Sequence, residues 1–160
     1  MERPTSDHRA VWRSPLGLLA IEQSGDAITA AHFCDADEPE TPADTPLLVR
    51  VLAEFQAYFA GEKNPFDFPI AFRGTPFQQL VWRELLRIPH GETRSYGYVA
   101  RAIGKPGAAR AVGMACHVNP IAIAVPCHRV VGASGDLTGY GGGLDRKRAL
   151  LTLERSVTQA

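Results

Sequence analysis

Cys127 stands between Pro126 and His128 and is followed by Arg129 and Val130. A thiol beside an imidazole is a combination suited to nucleophilic chemistry. A free cysteine, with a pKa of about 8.5, is only a few per cent thiolate at neutral pH and gains from a nearby base. The flanking runs Ile121–Ala124 and Val130–Val131 are apolar, so the segment reads as a bend between two short buried stretches. A lone cysteine there has a plainer reading as a small hydrophobe of the core. Three features favour chemistry: the adjacent imidazole, the stiffening proline, and the glycine-dense loop over 132–143. Loops on a rigid scaffold often carry reactive groups. In an extended segment, the side chains of Cys127 and His128 would point to opposite sides, which argues against direct contact between them. A second pair, Cys116-His117, raises the question of a metal site. A helix and the Cys127 segment would have to present four ligands at once, and Cys34 with His32 falls short of a set, so neither metal nor cofactor is expected.

The elements that must position these groups are legible in outline. Val11–Arg13 and Leu16–Ile21 read as a hairpin about Ser14-Pro15, and Ala27–Phe33 as a third strand after Ser24-Gly25-Asp26. The acidic, proline-rich stretch 35–46 reads as an exposed loop. Leu47, Leu48, Val51, Leu52, Phe55, Tyr58 and Phe59 recur at helical spacing before Gly61. Phe66, Phe68, Ile70 and Phe72 alternate as an extended edge or linker, interrupted by prolines. This predicts an α/β unit over residues 1–73 that supports the rest: a small three-stranded sheet with one helix.

Residues 74–160 read as mostly helical. Thr75, Pro76 and Gln78 form a capping box with proline at the first helical position, and the helix that follows is expected to turn Phe77, Leu80, Val81, Leu85 and Leu86 inward. Ser95 can cap a helix over 96–103, stopped by Gly104. Lys105-Pro106-Gly107 turns the chain into a third helix from Ala108, completing a helix-turn-helix. Ala108, Ala109, Ala111, Gly113 and Ala115 leave that helix almost bare, so its backbone could lie close to a partner, with Arg110 as the long projection; close packing on the core is the competing reading. A last helix, Leu144 to Glu154, carries Arg146, Lys147 and Arg148.

The formal net charge is zero, but residues 1–73 carry −6 and residues 74–160 carry +6. This asymmetry points the second half toward a polyanion, unless the two halves merely neutralise each other. No apolar run approaches the ~20 residues of a membrane span, and the N-terminus has no apolar signal core. A cytoplasmic location and reduced thiols are expected.

With Pro126-Cys127-His128-Arg129-Val130, Asn119-Pro120, the helix-turn-helix and Tyr140-Gly141-Gly142-Gly143-Leu144 in the right order, the chain resembles the O6-alkylguanine-DNA alkyltransferases, also called methylated-DNA–protein-cysteine methyltransferases, in their stand-alone bacterial form. The resemblance covers residues 74–155 by motif and the first part only by layout. It implies a ribonuclease H-like layout for the first domain and a winged-helix-like second domain. The implied activity is direct-reversal repair: one irreversible transfer of an alkyl group from O6 of a flipped guanine, and from O4 of thymine, to Cys127. The roles it implies are His128 as base through a water, Glu154 as its orienting carboxylate and Asn119 as a brace. Tyr96 would help rotate the nucleotide and supply a proton. Arg110 would fill the vacated base stack, with Ala109 and Gly113 near the backbone; by their charge, Arg101, Lys147 and Arg148 are candidates for phosphate contacts, against a plainer reading as solvated surface charges. Tyr140, Gly141, Val130 and Ser134 would line the guanine pocket. The implied partner is double-stranded DNA, met through the minor groove by a monomer, with cooperativity left open. Two other functions fit the residues alone: a thiol hydrolase or acyltransferase using Cys127, His128 and Glu154, and a helix-turn-helix regulator with a sensor cysteine.

Overall fold

A computed structural model describes residues 7–137, 140 and 142–159. The chain divides into two compact units, Met1–Phe72 and Arg73–Ala160. No helix among the described residues is long and apolar enough to cross a membrane.

The first unit is an antiparallel sheet in the order β1 (His8–Ser14), β2 (Gly17–Ser24), β3 (Ala27–Phe33). Ser14 pairs with Gly17 across the Pro15-Leu16 turn, and Gly17 takes a φ of 124°, a region that favours glycine. Leu18 to Ile21 of the central strand are all buried, as expected where both faces and both edges are covered. Each outer strand gains one isolated bridge: Thr41 pairs with Val11, and Ile70 with Ile28. The 35–46 stretch is therefore exposed, as its composition predicts, yet not free of the sheet. Its Thr41 exchanges two backbone hydrogen bonds with Val11, at 2.9 and 3.0 Å. Such a bridge satisfies edge groups without needing apolar side chains.

Helix α1 (Pro46–Phe59) starts at Thr45, whose hydroxyl accepts from the Leu48 amide, and ends before Gly61, at a φ of 104°. It buries Leu48, Val51, Phe55 and Tyr58. Phe55 also meets Phe66 and Phe68, with ring centroids 4.9 and 6.3 Å away, so the alternating 66–72 stretch closes this core.

The second unit begins with α2 (Pro76–Leu85), which has the full capping box predicted from Thr75 and Gln78. Its buried face differs from the expected one: Val81, Trp82 and Leu85 are inside, while Leu80 and Leu86 are exposed. Trp82 decides the rotation, because its large ring is buried and its indole N–H donates to the Ala115 carbonyl at 2.9 Å. A two-residue strand β4 (Arg94–Ser95) leads directly into α3 (Tyr96–Ala102), capped by Ser95, and α4 (Ala109–His117) follows. The Cys127 segment is a single 3-10 turn, Cys127–Arg129, rather than an extended stretch, and β5 (Val130–Val131) leaves it. β5 pairs in parallel with β4, Arg94 opposite Val130 and Ser95 opposite Val131. Helix α5 spans Leu144–Gln159.

Candidate active site

Cys127 is 5% exposed at the start of the 3-10 turn. Asn119 braces it: Nδ2 donates to the Val125 carbonyl at 2.8 Å and to Cys127 Sγ at 3.1 Å, while Oδ1 accepts from the Ile121 amide at 3.0 Å. One carboxamide thus ties the start, the middle and the thiol of the 119–127 loop together. Ile123 within that loop adopts a φ of 72°, rare for a β-branched residue and tolerated where surroundings over-determine the backbone. Burial pushes the Cys127 thiol up to about 11, against the opposing pull of the Asn119 hydrogen bond and the Lys147 charge. At neutral pH the resting group is a thiol, and its reaction requires a base.

The base beside it is fully buried. His128 Nε2 meets Glu154 Oε2 at 2.5 Å, and His128 Nδ1 is buried with no hydrogen-bond partner among the described residues. Burial lowers the imidazole's affinity for a proton, opposed by Glu154 and assisted by the Arg129 charge, so the ring is neutral at pH 7. For Glu154, burial alone would raise the carboxyl. The hydrogen bond from His128 and the fork from Arg129 outweigh it and hold the group well below the usual carboxylate range.

Arg129 is the component that sequence reasoning missed. Its Nε donates to Glu154 Oε1 at 2.8 Å, its Nη2 to Glu154 Oε2 at 3.1 Å, and its Nη1 to the Ile88 carbonyl at 2.6 Å. Fork geometry of this kind gives both strength and fixed direction. The available signal was an arginine two residues past the thiol in an otherwise apolar stretch, a setting where a charge must be paired.

Lys147 requires a correction. Expected among the surface contacts to phosphate, it is fully buried, donating from Nζ to the Val130 carbonyl at 2.7 Å. That nitrogen also lies 5.9 Å from the centroid of the Tyr96 ring, within cation–π reach. Burial lowers its proton affinity, while Cys127 and Cys116 favour its charge. Tyr96 itself opens α3, and a Cβ on Gly113 of α4 would stand 3.7 Å from its ring. Lys147 therefore groups with Cys127, Cys116 and Tyr96.

The remaining candidates fall in three places. Tyr140 is buried, and its hydroxyl has no hydrogen-bond partner among the described residues. Burial raises its phenol well above the usual value, with further influence from Cys127 and Glu154. Val130 is fully buried and contributes its carbonyl to Lys147, whereas Ser134 is exposed and donates to Asp136 at 2.6 Å. Gly141 lies outside the described residues. On α3 and α4, Arg101 and Arg110 are exposed and Ala109 and Gly113 half-buried. The small residues of α4 do not form one open face: Ala115 is buried, and the solvent side carries Arg110, Ala111, Met114, His117 and Val118. Met114, at 66% exposure, is an outward apolar side chain one turn after Arg110. His117 is exposed while His128 is fully buried, and among the described residues no three His, Cys, Asp or Glu side chains gather as a metal site.

Comparison with known proteins agrees with this arrangement. Residues 8–72 match the family model for the ribonuclease-like domain of 6-O-methylguanine DNA methyltransferase, and residues 76–156 the model for its DNA binding domain. The chain is 54% identical over 147 residues to a methylated-DNA–protein-cysteine methyltransferase of Mycobacterium tuberculosis, covering 89% of each protein. It is 44% identical over 151 residues to a constitutive one of Bacillus subtilis, covering 89% of this chain and 92% of the relative. The Mycobacterium tuberculosis protein crystallised in complex with DNA superposes with a TM-score of 0.85 at 53% identity, over 94% of both chains. With a buried Cys-His-Glu constellation, a helix pair at its side and both domain models matched in order, the chain belongs to the 6-O-methylguanine-DNA methyltransferase family.

Proposed function

We propose that the protein repairs DNA by direct reversal, moving an alkyl group once from O6 of guanine to Cys127. The observation that carries this reading is the buried, braced thiol beside a neutral His128 that is held by an ionised Glu154. The substrate is double-stranded DNA bearing O6-alkylguanine, with O4-alkylthymine as a related one. Extruding the base costs a few kcal/mol, and less for a pair weakened by alkylation. Arg110 enters the stack from the minor groove to offset that cost, with Met114 beside it as an apolar wedge. Tyr96 assists rotation of the nucleotide, and Tyr140, with Gly141, Val130 and Ser134, lines the pocket that receives it. Arg101 meets phosphate; Lys147 serves the thiol instead.

Cys127 Sγ then attacks the alkyl carbon in line as the carbon–O6 bond breaks. The thiol proton passes through a water to His128 Nδ1, the ring nitrogen not committed to Glu154. Tyr96 protonates the departing guanine and regains a proton, through solvent, as His128 releases the one taken from the thiol, so the net change is thiol to thioether and alkylguanine to guanine. A thioether has no path back to thiol here, and each molecule acts once. Residues 1–73, in a ribonuclease H-like layout, support residues 74–160, whose winged-helix-like arrangement carries both DNA contacts and acceptor. The protein acts as a monomer on DNA.

Intact-mass analysis after incubation with an O6-methylguanine duplex tests this. A gain of about 14 Da, one CH₂, on one site per molecule at Cys127 is expected. Cys127→Ala is expected to bind the duplex and take up nothing. Repeated turnover, or a methyl elsewhere, would overturn the reading.

A further inference from the structure

We propose that Arg129 is a positioning residue for alkyl transfer: its guanidinium fork keeps Glu154 charged and aligned, so that His128 carries its proton on Nε2 and leaves Nδ1 bare to accept the proton of the thiol. The proposal rests on the alkyl-transfer reading and names what sets the state of its base.

The geometry begins with Glu154, a carboxylate fully removed from solvent. A buried carboxylate is stable only when paired and hydrogen-bonded. Both oxygens receive Arg129, at 2.8 and 3.1 Å, and the Gly91 amide adds a contact to Oε1 at 3.3 Å. The guanidinium is fixed in turn by the Ile88 carbonyl at 2.6 Å. Oε2 also accepts from His128 Nε2 at 2.5 Å. An ionised acceptor at Nε2 demands the proton there, which places the lone pair on Nδ1. Nδ1 is buried and makes no hydrogen bond to another described residue.

Charge works in the same direction as alignment. His128 faces Arg129 from its own segment and Lys147 from α5, and Glu154 faces Tyr140 from the loop before α5. Removing the cation at position 129 favours an extra proton on the pair. That proton ends as imidazolium, or as a neutral carboxyl with the ring proton moved to Nδ1. Nδ1 is occupied in both forms, and the base is lost. Lys147 and Tyr140 stay unchanged in the Arg129 variants, so a shift reports on Arg129.

Two measurements test this. Nitrogen-15 NMR of histidine-labelled wild-type protein at about pH 7 is expected to show a neutral His128 protonated at Nε2; protonation at Nδ1 overturns the proposal. Single-turnover transfer rates between about pH 5 and about pH 8 supply the second readout. In Arg129→Met, the acid limb is expected to move up by about one pH unit or more, a rate loss of about tenfold at the acid end relative to its own plateau. Arg129→Lys retains charge without the fork and is expected to shift less than Arg129→Met but measurably. Variants that fold less stably yet keep the wild-type pH profile assign Arg129 a purely structural role and overturn the proposal. Should Arg129→Met not fold, the Arg129→Lys profile and the wild-type tautomer decide. A wild-type protein that transfers no alkyl group sinks the alkyl-transfer reading instead, while the NMR result still reports on the tautomer.

Discussion

Asn119 shows how much one side chain can hold. Its carboxamide spends every strong contact on the loop and on Sγ, so Asn119→Ala removes a donor to the thiol and leaves the Val125 carbonyl without that bond. A stability loss of about 1–3 kcal/mol is expected from such a buried deletion. The thiol should also become harder to ionise, which a pH series of alkylation by iodoacetamide would read as an upward shift. Lys147 makes a parallel prediction. Lys147→Met removes the cation that favours ionised Cys127, so thiol reactivity should fall even where the fold survives. The pair His128 and Glu154 sets the response to acid. His128, with its proton affinity lowered by burial, contributes stability above its unfolded pKa of about 6.5 that is lost as pH falls through that value. Glu154, held low, contributes stability above the usual carboxylate range and loses it below. Urea midpoints should therefore decline as pH falls through about 6.5 and again below about 4.3. His128→Gln should flatten the first decline; an unchanged profile would contradict this account.

At the scale of elements, the entry to α2 is the most exactingly built. Thr75→Ala dismantles the capping box and should cost about 1 kcal/mol. Gly74→Ala should cost more, since the new Cβ would lie 2.6 Å from the Trp82 ring, which is itself pinned through Ala115 to α4. Its signature would be altered tryptophan fluorescence along with a lower urea midpoint. Gly113 offers the opposite case. A Cβ there meets only Tyr96 at ordinary contact distance, so Gly113→Ala should raise helix stability by up to about 1 kcal/mol. If the α4 backbone lies against DNA as proposed, the same change should weaken duplex binding; unaltered affinity would place the contact elsewhere on the helix. Elements were largely readable beforehand where local chemistry dictates them: Thr75-Pro76 and Gln78, Ser95, Gly61 and Gly104 all mark boundaries through caps. What escaped was decided by tertiary context. Trp82 overrode the spacing of Leu80 and Leu86, and the β4–β5 pairing joins two residues to two others with no pattern long enough to register. Lys147 sits in the run Arg146-Lys147-Arg148, which looks solvated throughout, although on a helix against a core one of three successive positions often turns inward. Arg129 was hidden for the same reason: the sequence shows a charge but not its burial.

For the molecule as a whole, the division of charge into an acidic first part and a basic second part frames its meeting with DNA. Phosphate contacts release counterions, so duplex affinity should fall at least about tenfold between 50 and 200 mM salt. Binding isotherms that ignore salt would indicate that the basic excess faces elsewhere. The burial of Cys127 has a further meaning at this scale. A protein that works once is a stockpile, and each thiol lost to a stray oxidant is a repair that never happens. Shielded from solvent and kept protonated, with a pKa of about 11, the sulfur is a poor target for the small electrophiles and peroxides that attack thiolates. The same enclosure that makes the thiol dependent on its base should spare it from oxidation while the molecule is idle.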